Sequence, residues 1–375
     1  MGAFSGKELA LKALSGYPTE QVPAALLTWE FNYLWKTAGL KPWQLAFGNS
    51  DTRHAAHMSL IERHNPDLII FSGAGTGNRE PTLLHENSER WVVKDNNTGI
   101  IYGLVKRSYI PYRLDTNEKP CDPVGEINSF NDADRLVATP VGWNEIQLNG
   151  LKRLIKEAGN RTLVLPCPSP AYIRACYAFG FEKAMTAMVE NPELFFYVCE
   201  KYSSGDRLEM QQLAQADVEV VFVADGWASC DIISPQMFER FALPYQFSIT
   251  EAAHAAGLKV VLWNEGNVLP ILKQEASLPV DAFAFEQPRK GVNLTVARVR
   301  EVFGSRRCLF GNLDSELLLM RKDYKEIRHN VTEQILQSGR GNPFVFCTGS
   351  PIPSNIELDA VDAMIGAVRS FKWNN

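Results

Sequence analysis

No basic run interrupts this 375-residue chain, and its formal charge is −5. Neither feature suits a nucleic-acid or anionic-membrane surface as the main partner, which leaves small molecules and proteins. No CxxC pair occurs. Seven cysteines, at 121, 167, 176, 199, 230, 308 and 347, are an odd number without knuckle spacing, so they form no disulfide framework and no structural zinc knuckle, and most read as core thiols. No uninterrupted apolar run is long enough to span a bilayer. Met1-Gly2-Ala3-Phe4-Ser5-Gly6-Lys7 has neither the apolar h-region of a signal peptide nor an Arg-rich leader, so a cytoplasmic location is expected. A complete G-x-G-x-x-G is also missing. Ser72-Gly73-Ala74-Gly75-Thr76-Gly77-Asn78 approaches a phosphate cradle, but Asn78 stands where glycine is required, and a flexible active-site loop is the better reading.

What is present is an ordinary globular composition, 45% hydrophobic and 22% charged, ample for a core. Apolar runs recur, each ending in a polar turn. Val22–Trp29, Asp67–Phe71, Thr162–Pro166, Val218–Ala224, Val260–Leu262, Ala282–Phe285, Cys308–Phe310 and Phe344–Phe346 read as strands buried on both faces, mostly separated by helical segments. Eight such units predict a parallel (β/α)8 barrel, a TIM barrel, with the polar strand ends sharing one face. An open doubly wound sheet is the alternative, and it lacks its glycine fingerprint. The whole chain, 1–375, reads as one barrel domain. Residues 80–134 break the pattern. Arg90–Lys94 and Ile100–Val105 flank Asp95-Asn96-Asn97-Thr98-Gly99 as a hairpin, an insertion expected to form a lid near the barrel mouth.

If the barrel closes, Trp29, Glu30, Ser72, Cys167, Asp225, Trp227, Asn264, Glu265, Glu286, Asn312, Asp314 and Cys347 converge on one pocket. Glu265 follows the run Lys259–Trp263 and Asn264. A carboxylate held there, partly out of water, suits a metal ligand or a general base, whereas the bland reading makes it a helix cap. Several carboxylates in one apolar-walled site repel unless a cation or a shared proton relieves them, and zinc accepts both a carboxylate and a thiolate, so Glu265 and Cys347 are its expected ligands. Against this stand a packed thiol at Cys347 and an ion pair from Glu286 to Arg289 or Lys290. His54 and His57, at i and i+3 on a helix from Asp51 to His64, have no third ligand nearby and read as surface histidines.

Ala10-Leu11-Lys12-Ala13-Leu14-Ser15-Gly16 with Val22-Pro23, the segment Asp231–Tyr245, Gly311-Asn312-Leu313-Asp314 and Ala360–Arg369 together resemble the uroporphyrinogen decarboxylase superfamily over nearly the whole chain. The resemblance implies a (β/α)8 barrel and one of two activities. The decarboxylase branch carries an Arg-rich motif after the first strand, an Asp after the second and a His after the last. Here Trp29-Glu30-Phe31-Asn32-Tyr33, Ser72-Gly73 and Cys347-Thr348-Gly349-Ser350 occupy those places, so decarboxylation of an eight-carboxylate tetrapyrrole is disfavoured. The methyltransferase branch moves methyl groups to or from a corrinoid protein and binds zinc through a His-x-Cys pair and a later Cys. Against that pattern Trp263 stands for the His and Glu265 for the Cys, with Cys347 near the third ligand and Ser350 the other candidate.

A carboxylate-bearing zinc is harder than a thiolate one and a stronger Lewis acid toward oxygen, which points to methyl ethers. Trp29, Phe31, Tyr33, Trp227 and Trp263 are expected to wall an aromatic ring, with Glu30, Glu286 and Asn312 as further substrate contacts. Asn264 and Asp225 are expected to act beside Glu265 in catalysis. The resulting expectation is a methyltransferase passing the methyl group of an aromatic methyl ether to the cobalt of a cobalamin carried by a separate corrinoid protein. A methyltransferase for thiols, amines or coenzyme M is one alternative, and a non-catalytic barrel binding a small ligand or a corrinoid protein is another.

Overall fold

Short runs of β-branched and aromatic residues, apolar at nearly every position, are what strands covered on both faces require. In the computed structural model, which describes residues 4–71, 73, 80–106, 111–115, 127–137, 142–289 and 291–373 without the side chains of Glu30, Phe31, Pro111 and Leu317, they form such strands. In chain order the strands are β1 (Ala25–Leu26), β2 (Leu68–Phe71), β3 (Pro81–Glu86), β4 (Arg90–Asp95), β5 (Ile101–Val105), β6 (Pro111–Arg113), β7 (Leu163–Pro166), β8 (Val220–Asp225), β9 (Lys259–Asn264), β10 (Ala282–Phe285), β11 (Cys308–Phe310) and β12 (Phe344–Val345). β1, β2 and β7 pair in parallel, as do β8 to β12 in sequence order. A parallel bridge from Ala24 to Phe346 joins the last strand to the first. These eight parallel strands are the predicted (β/α)8 barrel.

Alternation divides each strand between two cores. Leu27, Leu165, Phe222, Val261, Trp263, Phe310 and Cys347 fill the lumen, while Val221, Val223, Val260, Leu262, Phe283 and Phe285 face the surrounding helices. Each large apolar side chain buried this way contributes about 1.5–3 kcal/mol. At the strand N-termini the helix Gly6–Leu14 closes the lumen with Ala10, Ala13 and Leu14, its start fixed by a reciprocal capping box between Ser5 and Glu8. At the other end, register sets Asp225 opposite Asn264 and Asn264 opposite Phe285, so the strands stop side by side.

The segment after β2 extends the expected hairpin to four antiparallel strands in the order β3-β4-β5-β6. Trp91, Val93 and Leu104 on its inner face pack on Ala46 and Phe47. It leaves from the C-terminal end of a barrel strand, the end where βα loops shape active sites. Among the described residues no helix is long and apolar enough to cross a membrane.

Candidate active site at the barrel mouth

The polar residue that rises from the lumen side of β9 is Glu265. Trp263 faces the lumen, so alternation turns Asn264 outward and Glu265 back toward the mouth. Its carboxylate has no hydrogen-bond partner among the described residues and lies half-buried. Burial, with Glu286 adding to it and Arg289 opposing, pushes its carboxyl up to about 7. Beneath it Trp263 stacks on Phe222 and meets the edge of Trp29, with ring centroids 6.2 Å apart, and its indole N–H donates to the Gly349 carbonyl (3.1 Å). Trp29 and Trp263 therefore pack together at the lumen beneath Glu265. Cys347 lies in the same lumen, its thiol pushed up to about 12 by burial. Cys167 also faces the lumen, and burial likewise pushes its thiol up to about 12.

Glu286 is nearly sealed, and both its oxygens are occupied. Gly266 N–H donates to Oε2 (2.7 Å), Ser350 Oγ donates to Oε1 (2.8 Å), and Arg289 Nε lies 2.5 Å from Oε1. Arg289 also donates to Ser350 Oγ (3.0 Å) and Glu316 (3.2 Å). The ion pair to Arg289 thus holds, and Glu286 ties the ends of β9, β10 and β12 together rather than facing a substrate. Gly266 has to be glycine here. Its φ is +79°, and a Cβ would lie 2.5 Å from Ser229 Oγ and 2.8 Å from Asp231 Oδ2. Gly266→Ala is expected to destabilise the protein by about 1–3 kcal/mol, read from the denaturant midpoint.

At the rim Trp227 is held edge-on by Tyr177 (4.8 Å) and Phe181 (5.1 Å), and its carbonyl accepts from Tyr172 Oη (3.2 Å). Tyr177 and Phe181 were not foreseen, although both are half-exposed aromatics spaced four residues apart. Gly226, just before Trp227, sits close to Glu265: a Cβ there would stand 3.0 Å from Oε2. Glu265 and the Trp227 cluster belong to one mouth.

Several expected site residues lie elsewhere. Asp225 and Asn264 face outward from the wall and are fully buried, where Gln246 Nε2 donates to Asp225 Oδ2 (2.8 Å) and Asn264 Nδ2 to Glu275 Oε1 (2.7 Å). Tyr33 turns from the mouth into the helix layer, with its hydroxyl 2.9 Å from His64 Nε2. Asn312 spends its amide on the Glu286 (3.1 Å) and Leu294 (2.7 Å) carbonyls. Asp314 accepts from Glu316 N–H (2.9 Å) in its own turn. His54 and His57 are buried between helices, not surface residues: His54 Nε2 lies 2.7 Å from Glu157 and His57 Nδ1 2.8 Å from the Arg53 carbonyl. Ser72, residues 74–79 and the side chains of Glu30 and Phe31 lie outside the described residues.

A zinc at Glu265 and Cys347 has a thin donor set. Catalytic zinc takes three protein ligands. Among the described residues no three His, Cys, Asp or Glu side chains converge, and Glu286 is saturated. The described donors do not fit the ion, and among the described residues Glu265 is the group at this mouth with a carboxyl free to react.

Two open clefts, of about 440 and 430 Å³, lie at the opposite end of the barrel. Their polar side chains are paired, Asp281 with His254 (3.0 Å) and Asp67 with Arg369 (2.7 Å), which is the stabilising role of a barrel's N-terminal face.

Comparison with known proteins agrees with this architecture. The uroporphyrinogen decarboxylase (URO-D) family profile matches residues 118–371. The uroporphyrinogen decarboxylase of Dichelobacter nodosus is 31% identical over 42% of this chain, and that of Methylococcus capsulatus 26% identical over 58%. The matches span 42% and 63% of those relatives' own lengths. A methyltransferase from Methanosarcina mazei superposes over 98% of both chains with a TM-score of 0.70 at 18% identity, a likeness of fold.

Proposed function

The chain belongs to the uroporphyrinogen decarboxylase family, and from that premise we propose that it is a methyltransferase that passes the methyl group of an aromatic methyl ether to the cobalt of a corrinoid protein. The observation that carries the reading is Glu265: a carboxyl without a hydrogen-bond partner among the described residues, raised to about 7 by burial, at the lumen mouth beside a cluster of aromatic rings. Such a group is a proton donor placed for a departing oxygen. The methyl acceptor supplies the electron pair for the new bond to carbon. The methyl carbon–oxygen bond breaks, its electrons stay on the oxygen, and the Glu265 proton neutralises the phenolate as it forms. Water then reprotonates Glu265. Trp29, Trp263 and Trp227 offer faces and edges for a flat ring, and burial keeps the charge on oxygen costly until the proton arrives.

Decarboxylation of a tetrapyrrole suits this mouth poorly. Glu265, Glu286 and Asp231 surround it, and the Arg289 guanidinium is engaged by Glu286 and Glu316. The four-stranded insertion, issuing from the same end, is the rim against which a carrier protein would dock or which it would move aside.

The test follows the spectral change from cobalt(I) to methyl-cobalt(III) in an added corrinoid protein over a panel of methyl donors. Methoxybenzenes bearing a neighbouring oxygen are expected to react, and methanol, methylamines and methyl thiols to react little. Trp227→Ala is expected to raise KM for the aromatic donor about 10-fold or more, from the loss of one stacking anchor. A preference for thiols or amines, or turnover without any corrinoid protein, overturns the proposal.

A further inference from the structure

On the helix side of the wall, directly behind the mouth, four fully buried residues meet in two pairs. Gln246 on the helix Leu243–Ala255 donates through Nε2 to Asp225 Oδ2 (2.8 Å), and Asn264 donates through Nδ2 to Glu275 Oε1 (2.7 Å). Asp225 and Asn264 are register partners on β8 and β9, so the pairs are neighbours. Each pair leaves the same remainder. Among the described residues Asp225 Oδ1 and Gln246 Oε1 have no hydrogen-bond partner, and neither do Glu275 Oε2 and Asn264 Oδ1.

Four acceptors sealed from bulk solvent and without a donor from the described residues are costly to bury. An ionised carboxylate makes this worse, because it can only accept. A carboxylic acid differs in carrying a donor. In a cyclic acid–amide pair its O–H donates to the amide oxygen while the amide N–H donates back, so one proton on each acid would supply the donor that its pair lacks. Among the described residues no cation acts on either carboxyl to favour its ionised form. Asp225 acts on Glu275, and the titratable groups on which the two carboxyls act in turn are Tyr172, Cys176 and Tyr177 from the helix Ala171–Phe179, Cys199 from the helix Pro192–Ser203, and Cys230 from the loop after β8. Burial raises every one of these thiols and phenols, so all are neutral at pH 7.

We propose that Asp225 and Glu275 are carboxylic acids at neutral pH, closed into cyclic acid–amide pairs with Gln246 and Asn264, and that as positioning residues they hold the ends of β8 and β9 from which Gly226 and Glu265 rise. The positioning follows from connectivity: Asn264 Nδ2 also reaches the Ala228 carbonyl (3.4 Å), and Ala228 N–H bonds the Asp225 carbonyl (3.3 Å). Desolvation supports the same protonation, raising Asp225 to about 7 and Glu275 to about 8. The sign of the linkage is fixed by that direction. The stabilisation is fully present below the unfolded carboxyl range of about 4 and is lost as pH rises through the folded values, about tenfold in the folding constant per pH unit per group.

The test compares the full-length protein with Asp225→Asn and Glu275→Gln, whose amides reproduce the acid's donor. At about pH 6 the parent is expected to show the infrared carbonyl stretch of buried protonated carboxyls, each variant removing part of it. Each is also expected to remove about one proton from the pH dependence of urea unfolding between about pH 5 and 7. Both variants are expected to keep hydrogen-exchange protection at Ala228 and Gly266, which Glu275→Leu loses; if the leucine variant does not fold, the two conservative variants decide alone. Absence of the carbonyl band with an unchanged unfolding slope overturns the proposal. So does a tightly held cation, retained through dialysis by the parent and lost in both conservative variants.

Discussion

Glu265→Gln is expected to fold normally and to lose about 10²–10⁴-fold in the rate of methyl transfer, the range that a positioned proton donor supplies. Folding survives because the residue stands past the end of β9 and makes no hydrogen bond among the described residues. The rate falls because glutamine occupies the same volume without an acidic proton. The pH profile separates this from a loss of shape. In the parent the reactive form is protonated, so the rate holds below about 7 and falls about tenfold per pH unit above it. In the glutamine variant that fall is gone. If the carboxylate bound a metal instead, the variant would shed about one metal ion per chain, and elemental analysis beside the kinetics tells the two roles apart.

Glu286→Ala is expected to cost about 2–4 kcal/mol of stability, measured by urea unfolding at constant m. The side chain accepts from Gly266 N–H and Ser350 Oγ and pairs with Arg289, so three groups lose a partner at once. The cost stays below that of a fully buried pair because Arg289 still reaches Glu316 and water. Glu286→Gln serves a different purpose. Glu286 is the largest charge raising the Glu265 carboxyl, so its neutralisation lowers that carboxyl and moves the fall in methyl-transfer rate to lower pH. An unmoved profile in a folded Glu286→Gln would show that the kinetic group is not Glu265.

The barrel was legible because burial on both faces leaves a mark: runs such as Val260–Leu262 and Ala282–Phe285 are short, β-branched or aromatic and end in polar turns, which favours buried strands, and their order around the barrel follows the chain. That same feature hid the site. When both faces are apolar, alternation carries no polarity, so nothing in Leu262-Trp263-Asn264-Glu265 states which members face the lumen. A slip of one residue exchanges Asn264 for Glu265, and Asp225 was misplaced for this reason. Size gives no general cue either: β10 puts Ala282 and Ala284 in the lumen with Phe283 and Phe285 outside it, whereas Phe222, Trp263 and Phe310 also face the lumen. Tyr33 was lost differently, since the irregular helix Glu30–Leu34 rotates it toward His64. In the insertion, Arg90–Asp95 and Ile101–Val105 carried a hairpin pattern, whereas exposed β3 and three-residue β6 offered little periodicity to find.

The helix Gly6–Leu14 that stops the lumen with Ala10, Ala13 and Leu14 makes the barrel a blind tube. Traffic then has a compulsory order. A ring seated on Trp29 and Trp263 lies below any protein that docks on the rim, so on the proposed function the donor binds before the carrier, and the demethylated product waits until the carrier has gone. Excess carrier protein would accordingly act as an inhibitor competitive with the donor, and the turnover number would report undocking rather than methyl transfer.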